Sequence, residues 1–474
     1  KREMVAKDFV TTFKRIADPR LVSPHYNYWK KNIAGLEKWY KKNKSLNKTN
    51  YNIPLHGVKA VDKYTFQITS KNKNPNFLFL FTSPVTAPLP LEGLMKCKND
   101  LSSTFLSTGP FILKNYIRGN KISFIKNINY RKKRFPNNLD PQYQYIANDY
   151  RDKNVPLLEK IEVTIIKESQ TGWLNFMKGK VDYLEVPKDN FSNNFVSPQE
   201  LSPAMKKKGI SIGVVPSKTN VYYFGLNLKH PFLKNKKVRQ AIAHVFNFYK
   251  FNELFFNNTA EIAHSILPPN INGNNPPIKS NYLNTNIKIA QNLLNKAGYI
   301  NGKGAPEIII MVKNKTISRQ VGDFLAHELA KIGLKAKVEM VTWPSLLQRA
   351  QKGQFMIFYL AWFVGMPDAF EFFELLYGPN YPDSYNRVGY LNKKFDQLFQ
   401  KGKPNLNVLE RNLLIRKMNT IVQNDLPLIP LVHAKTYFVK HSWLKNFVPT
   451  EQYGGFEQYF DMIPIEKQSR IDQF

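Results

Sequence analysis

The 474-residue sequence is long enough for two or three domains, and its single cysteine, Cys97, excludes an intrachain disulfide and a metal site built from several cysteines. Its 69 lysine and arginine residues outnumber 35 aspartate and glutamate residues, but the net charge of +34 is spread without a basic helical stripe, which favours a hydrated surface over a nucleic-acid-binding face. The apolar runs are far shorter than the roughly 20 residues that span a bilayer.

The first part of the chain combines a helix with hairpins. Apolar side chains that recur on one face predict a helix over residues 6–16. Alternating residues predict a hairpin over residues 58–68, with Asp62-Lys63 at its turn. A second strand pair is predicted on either side of Arg118-Gly119-Asn120.

A strand, a helix and a strand follow over residues 161–166, 171–178 and 181–184. This order normally gives two parallel strands joined by a right-handed crossover. We therefore expect these two strands to pair in one sheet.

The order of elements is clearest in the second half of the chain. A strand over residues 221–228 is closed by Pro231, and a helix with one apolar face follows from Val238. Strands and helices then alternate over residues 308–360, and glycines end the two helices. This region is predicted to form an α/β lobe.

Several motifs carry a resemblance to a known family. They occur in collinear order from Val5 to about Pro464: Thr108-Gly109-Pro110-Phe111, then Asn227, Pro231-Phe232, Asn235, Val238-Arg239-Gln240-Ala241-Ile242 and Asn247, then Pro427-Leu428-Ile429-Pro430 and Pro449. In type and spacing they resemble the extracytoplasmic peptide-binding proteins of bacterial ABC importers, the large oligopeptide and dipeptide receptor family.

The resemblance implies an α/β, two-lobed, periplasmic-binding-protein-like fold of type II, in the large class with an extra subdomain. Its domains would be residues 1–130, a partial extra subdomain of the first lobe, then 131–216, the first main lobe, completed by 446–474, and 217–445, the second main lobe. Because the segment at Val5 lies well inside relatives, it also implies an N-terminally shortened chain that lacks a signal peptide and several strands.

The implied function is that of a substrate-binding component of an ABC transporter, which closes on a peptide or peptide-like solute in an interlobe cleft and delivers it to a membrane permease. The expected protein is a monomer on the periplasmic or extracytoplasmic face, peripheral to the membrane at most, and binds no nucleic acid. The residues show no catalytic constellation and no metal-ligand spacing among the eight histidines, so we predict neither an enzyme nor a cofactor.

Candidate ligand-binding residues follow the last strand of the α/β lobe, because ligands of such sheets collect at the carboxyl ends of the strands. Trp362 and Phe363 are expected to face the cleft with the turn that contains Gly365 and Asp368, although the two aromatic residues could instead cap the core. A second set is expected to line an apolar pocket or to be ordinary strand packing: Tyr359, Tyr222, Tyr223 and Asn220.

The resemblance also identifies a departure. Relatives often pair the free amine of a peptide with an aspartate at the position of Gly365, where this chain has no carboxylate. Asp368 could replace it or could be structural. Two other function classes stay open: a nucleic-acid binder, suggested by charge alone, and a degenerate or regulatory relative that binds a partner protein or a non-peptide ligand.

Overall fold

The structure is a computed structural model that describes residues 2–98, 101, 106–198, 200–215, 219–269, 271–382, 384–405, 407–448, 455–464 and 466–467. The chain forms two compact units. Unit 1 is built on Lys1–Thr171, Trp443–Phe447 and Gly454–Lys467, and unit 2 on Gly172–Ser442. The boundary at Thr171 falls inside the range 131–216 predicted as the first main lobe, and the three-part division stays a prediction.

The described α-helices are α1 Ala6–Ile16, α2 Tyr26–Asn32, α3 Leu36–Lys44, α4 Leu91–Lys96, α5 Gln144–Asp149, α6 Ser169–Met177, α7 Phe191–Asn194, α8 Pro203–Lys207, α9 Pro231–Lys234, α10 Lys236–Val245, α11 Phe248–Phe256, α12 Ile287–Lys296, α13 Thr316–Ala330, α14 Trp343–Gln351, α15 Ala369–Phe373, α16 Lys393–Gly402 and α17 Val408–Asp425. The helix predicted over residues 6–16 is confirmed as α1.

The described strands are β1 Val58–Ala60, β2 Phe66–Ile68, β3 Phe111–Ile117, β4 Lys121–Lys126, β5 Lys133–Arg134, β6 Asn154–Val155, β7 Lys160–Thr164, β8 Tyr183–Glu185, β9 Phe195–Ser197, β10 Glu200–Leu201, β11 Ile210–Val215, β12 Asn220–Leu226, β13 Glu261–Ile262, β14 Ile308–Lys313, β15 Ala336–Val341, β16 Ile357–Phe363, β17 Leu428–His433, β18 Thr436–His441, β19 Leu444–Lys445 and β20 Asp461–Met462. Both predicted hairpins are confirmed, since β1 pairs with β2 and β3 pairs with β4.

Unit 1 is organised around the apolar face of α1. Phe13 of this helix is fully buried, and its ring centroid lies 5.1 Å from that of Trp29 and 6.1 Å from that of Phe81. Aromatic residues bury a large area each, so this cluster fixes the helix on the segments around it.

Unit 2 contains a six-stranded sheet in the order β13-β17-β12-β16-β14-β15. β14 is parallel to β15 and β16, as the alternating pattern predicts, and β12 is antiparallel to β16 and β17. Gly333 and Gly353 follow two of the helices at φ values of +79° and +68°, where a residue without Cβ is favoured. The α/β lobe predicted over residues 308–360 is confirmed.

Helices cover both faces of this sheet. We call face 1 the side on which Phe224 and Ile357 pack against α10, α11, α12 and α13. Face 2 is the side on which Val221 and Phe358 pack against α14, α15, α16 and α17. A sheet buried on both sides explains why β12, β16 and β17 have few polar side chains.

The predicted pairing of residues 161–166 with 181–184 is wrong. β7 pairs antiparallel with β4, whereas β8 pairs antiparallel with β18 in the three-stranded sheet β11-β18-β8. The strand–helix–strand order is present, but each strand is the edge strand of a different sheet and pairs with an antiparallel partner from a distant segment.

Candidate functional site

The candidate site lies where β16 ends, beside the start of β12. In the antiparallel ladder, Asn220 is opposite Phe363 and Tyr222 is opposite Ala361. Residues directly opposite each other share a face of the sheet, and successive residues alternate between faces. Phe363 is therefore on face 1 with Tyr222, whereas Trp362 is on face 2 with Tyr223.

This alternation separates residues that the sequence analysis placed together. Trp362 is half-buried, packs against the core of face 2 and donates a 3.1 Å hydrogen bond from Nε1 to the carbonyl oxygen of Glu371. Its ring centroid is 4.9 Å from that of Tyr385, a residue that the sequence analysis did not identify. Trp362 thus ties the end of β16 to α15.

Asp368 is engaged in the same architecture. Its Oδ1 accepts a 2.8 Å hydrogen bond from the N–H of Phe370 and so caps α15. Its carboxylate also pairs with Nη2 of Arg411 at 2.8 and 3.0 Å, and both side chains are largely buried. The structural alternative for Asp368 is the one that these contacts support, because its charge is already neutralised.

Asn220 and Tyr223 also make structural contacts. Nδ2 of Asn220 donates to the carbonyl oxygen of Ala434 at 3.0 Å, and Oδ1 accepts from the N–H of Ala434 at 2.8 Å. Tyr223 is buried in the core of face 2. These contacts favour the strand-packing alternative for both residues.

Gly365 lies in the exposed loop between β16 and α15. A Cβ added there would have no heavy atom within 4 Å, and the backbone does not adopt a positive φ. The loop can therefore accept a side chain at this position without a clash.

Face 1 also carries accessible aromatic residues at this end of the sheet. The ring centroid of Tyr222 is 6.1 Å from that of Phe363 and 6.3 Å from that of Tyr359. Phe363 is 54% exposed, and the two tyrosines are half-buried. Burial raises the pKa of Tyr359 and of Tyr222, and a nearby carboxylate, Glu185, raises the pKa of Tyr222 further. The sequence analysis missed Glu185, because β8 lies 35 residues before β12 and no local motif links them.

The backbone of β16 is partly unpaired in the described structure. β14 pairs with β16 at Ile357 and Phe358, and no described strand continues this edge to Phe363. On the other edge, the N–H of Val364 donates a hydrogen bond to the carbonyl oxygen of Thr219, the residue before β12. Because backbone groups of successive residues alternate between edges, the N–H and C=O groups of Ala361 point to the unpaired edge, as do those of Phe363.

A second carboxylate missed by the sequence analysis is Glu371 on α15. Burial raises its pKa to about 7; the cations of Lys403 and Arg411 oppose this rise, and the carboxylates of Glu374 and Asp368 add to it. Lys403 forms an ion pair with Glu374, and Arg411 forms one with Asp368. These two cations therefore neutralise two of the three carboxylates, and Glu371 is the third.

The described residues contain neither a metal-binding cluster nor a membrane-spanning helix. No group of three or more His, Cys, Asp or Glu side chains there is arranged to hold a metal ion. Within the part of the chain that the structure describes, no helix combines the length and the apolarity needed to cross a membrane.

The chain is similar to known binding proteins. The family model described as bacterial extracellular solute-binding proteins, family 5 Middle, matches residues 2–383. Heme-binding protein A of Haemophilus influenzae is 24% identical over 94% of this chain and 75% of its own length. The oligopeptide-binding protein OppA of Bacillus subtilis is 21% identical over 94% of this chain and 75% of its own length.

The fold matches that of a solved binding protein as well. The periplasmic binding protein DppA of Helicobacter pylori, in complex with the peptide STSA, superposes with a TM-score of 0.73. The match has 22% sequence identity and covers 98% of this chain and 82% of the other.

Proposed function

The chain belongs to the bacterial extracellular solute-binding proteins of family 5, and from this premise we propose that it binds a peptide or a peptide-like solute at the carboxyl end of β16. The observation that carries the proposal is the backbone edge of β16 from Ala361 to Phe363, which no described strand pairs, beside accessible aromatic side chains. An extended peptide can add to such an edge as a further strand.

Main-chain hydrogen bonds would supply much of the affinity. The N–H and C=O groups of Ala361 and Phe363 point to the open edge and can pair with amide groups of a ligand whatever its side chains are. The exposed ring of Phe363 and the half-buried ring of Tyr359 offer apolar contact. Gly365 leaves room for the ligand beside the loop.

The wider role follows from the family. We propose that the protein works on the extracytoplasmic side of the cell membrane, as a monomer that is peripheral to the membrane at most, and delivers its ligand to the permease of an ABC transporter. The relatives named for oligopeptide and peptide binding support this role. The family match does not favour a partner-binding regulator or a nucleic-acid binder.

Proline at Ala361 tests the backbone mechanism. Ala361→Pro removes one outward N–H and leaves the ladder to β12, so we expect capture of tri- to pentapeptide libraries to weaken about tenfold, measured by native mass spectrometry and calorimetry. Ala361→Ser keeps the N–H and is the matched control, and thermal melts of both variants report folding. Failure of the wild-type protein to capture any peptide would contradict the proposed function, and equal capture by both variants would exclude the open edge.

A further inference from the structure

Two aromatic residues of face 1 carry hydroxyl groups that no described residue binds. The hydroxyl groups of Tyr222 and Tyr359 make no hydrogen bond with any described residue. Both side chains are half-buried, and burial raises the pKa of each, so both phenols stay protonated. Neither hydroxyl oxygen is among the fully buried polar atoms that lack a partner, so both are accessible to a polar group of a ligand.

The loop after β8 brings a carboxylate to the same place. The carbonyl oxygen of Lys188 accepts a 3.0 Å hydrogen bond from Nδ2 of Asn257, at the end of α11. The ring of Phe256 on α11 lies 5.2 Å from the ring of Tyr222. These contacts dock the end of β8 onto α11, and Glu185, its last residue, is close enough to act on Tyr222 electrostatically.

Among the described residues, Glu185 is one of the carboxylates that stay unpaired in this basic protein. It makes no ion pair and no hydrogen bond with the described residues, although the chain carries 69 lysine and arginine residues. Lys188 in the same loop places its ammonium 5.3 Å from the ring centroid of Phe255 instead. The side chain of Glu185 reaches solvent, but the surrounding protein removes enough water to raise its pKa.

We propose that Glu185, the hydroxyl groups of Tyr222 and Tyr359 and the exposed ring of Phe363 form a subsite for an alkylammonium group of the ligand. The inference rests on the proposed function, because it names the chemical class that the same site prefers. The carboxylate supplies the opposite charge, the phenol oxygens accept hydrogen bonds from the ammonium, and aromatic faces attract cations.

Other ligand groups fit these residues less well. An anion would meet the charge of Glu185, and an apolar group would bury an unpaired carboxylate, which is costly. A metal ion would have one carboxylate and two neutral phenols, and no cluster of metal ligands lies among the described residues. An ammonium satisfies the carboxylate and both hydroxyl groups together.

The ammonium could come from a peptide's amino terminus or from a lysine side chain, and three peptide libraries distinguish these sources. The first has free amino termini, the second is N-acetylated without lysine, and the third is N-acetylated with one lysine per peptide. We expect the wild-type protein to prefer the first or the third over the second by about 10- to 100-fold, as for a charge-assisted hydrogen bond. Native mass spectrometry measures all three in competition.

Substitutions assign the preference to the subsite. Glu185→Gln should bring the ratio of charged to uncharged capture close to one, and Tyr222→Phe, which keeps the ring, should reduce it several-fold. Glu307→Gln is the matched control, because it removes an exposed carboxylate just before β14, at the opposite end of the parallel strands.

The outcomes separate the two proposals. Capture of all three libraries equally by the wild-type protein, or an unchanged ratio in Glu185→Gln with an unchanged melting temperature, would overturn the ammonium subsite and leave peptide binding intact. Capture of no library would overturn the proposed function itself, and the subsite with it.

Discussion

The two faces of the six-stranded sheet differ at the end of β16. On face 2, the indole of Trp362 is hydrogen-bonded to Glu371, and Asp368 is paired with Arg411. On face 1, no described residue pairs with the hydroxyl group of Tyr222 or the carboxylate of Glu185. The paired groups of face 2 hold the architecture together, whereas the accessible polar groups of face 1 can meet a ligand.

The largest expected effect comes from removing the buried ion pair of face 2. Arg411→Met leaves the buried carboxylate of Asp368 without its cation, and should lower the free energy of unfolding by about 3–5 kcal/mol in urea titrations. Arg319→Met, which removes an exposed ion pair with Asp323, is the matched control and should cost little. The double variant Asp368→Asn/Arg411→Met should recover part of the loss. A loss no larger than that of the control would mean that this pair does not anchor face 2.

The next prediction sharpens the comparison, because Glu371 of face 2 lies near two cations that are already paired with other carboxylates. Burial raises its pKa from 4.5 to about 7. The cations of Lys403 and Arg411 lower this pKa, and the carboxylates of Glu374 and Asp368 raise it further. As pH rises, Glu371 loses its proton in the unfolded chain before it does so in the folded protein. The contribution of Glu371 to the free energy of unfolding is therefore complete below pH 4.5, and about 3 kcal/mol of it is lost as pH rises towards 7.

Glu371→Gln tests this pH dependence. Denaturant titrations at pH 5 and pH 8 should show that the variant loses less stability between the two values than the wild type does. Glu339→Gln is a useful control, because the pKa of Glu339 is lowered by its hydrogen bonds with Arg349. A wild-type difference that persists unchanged in Glu371→Gln would assign it to another group.

The smallest expected effect concerns the loop between the two faces. Gly365→Asp adds an exposed carboxylate where nothing obstructs a side chain, so the melting temperature should stay within error of the wild type. Affinity should shift towards peptides with a free amino terminus by at most about 1 kcal/mol, as for an exposed ion pair. Calorimetry with matched free and N-acetylated peptides measures the shift, and an equal gain for both would show that the new charge does not meet the amine.

The family, the α/β periplasmic-binding-protein-like fold and the solute-binding role were predictable from the sequence and are confirmed by the comparisons. The ligand-binding residues and the three-part domain division stay predictions. Pro449, which contributed to the resemblance, lies outside the described residues.

Local patterns determined the elements of this protein. The helix α1 and the alternation from β14 to β16 were predictable, because apolar periodicity and helix-ending glycines act over a few neighbouring residues. The alternation of side chains along β16 also separates Trp362 from Phe363, and the sequence analysis could have used it but placed both residues in the cleft.

Tertiary structure decided which distant groups meet. The partner of Asp368 is 43 residues away on α17, and the charge of Glu185 acts on Tyr222 across the place where the loop after β8 docks on α11. Likewise, β7 pairs with β4 and β8 pairs with β18, and each partner comes from a distant part of the sequence. Pairing of this kind depends on the free energy of the whole packed sheet and its charges, and no window of neighbouring residues contains that information.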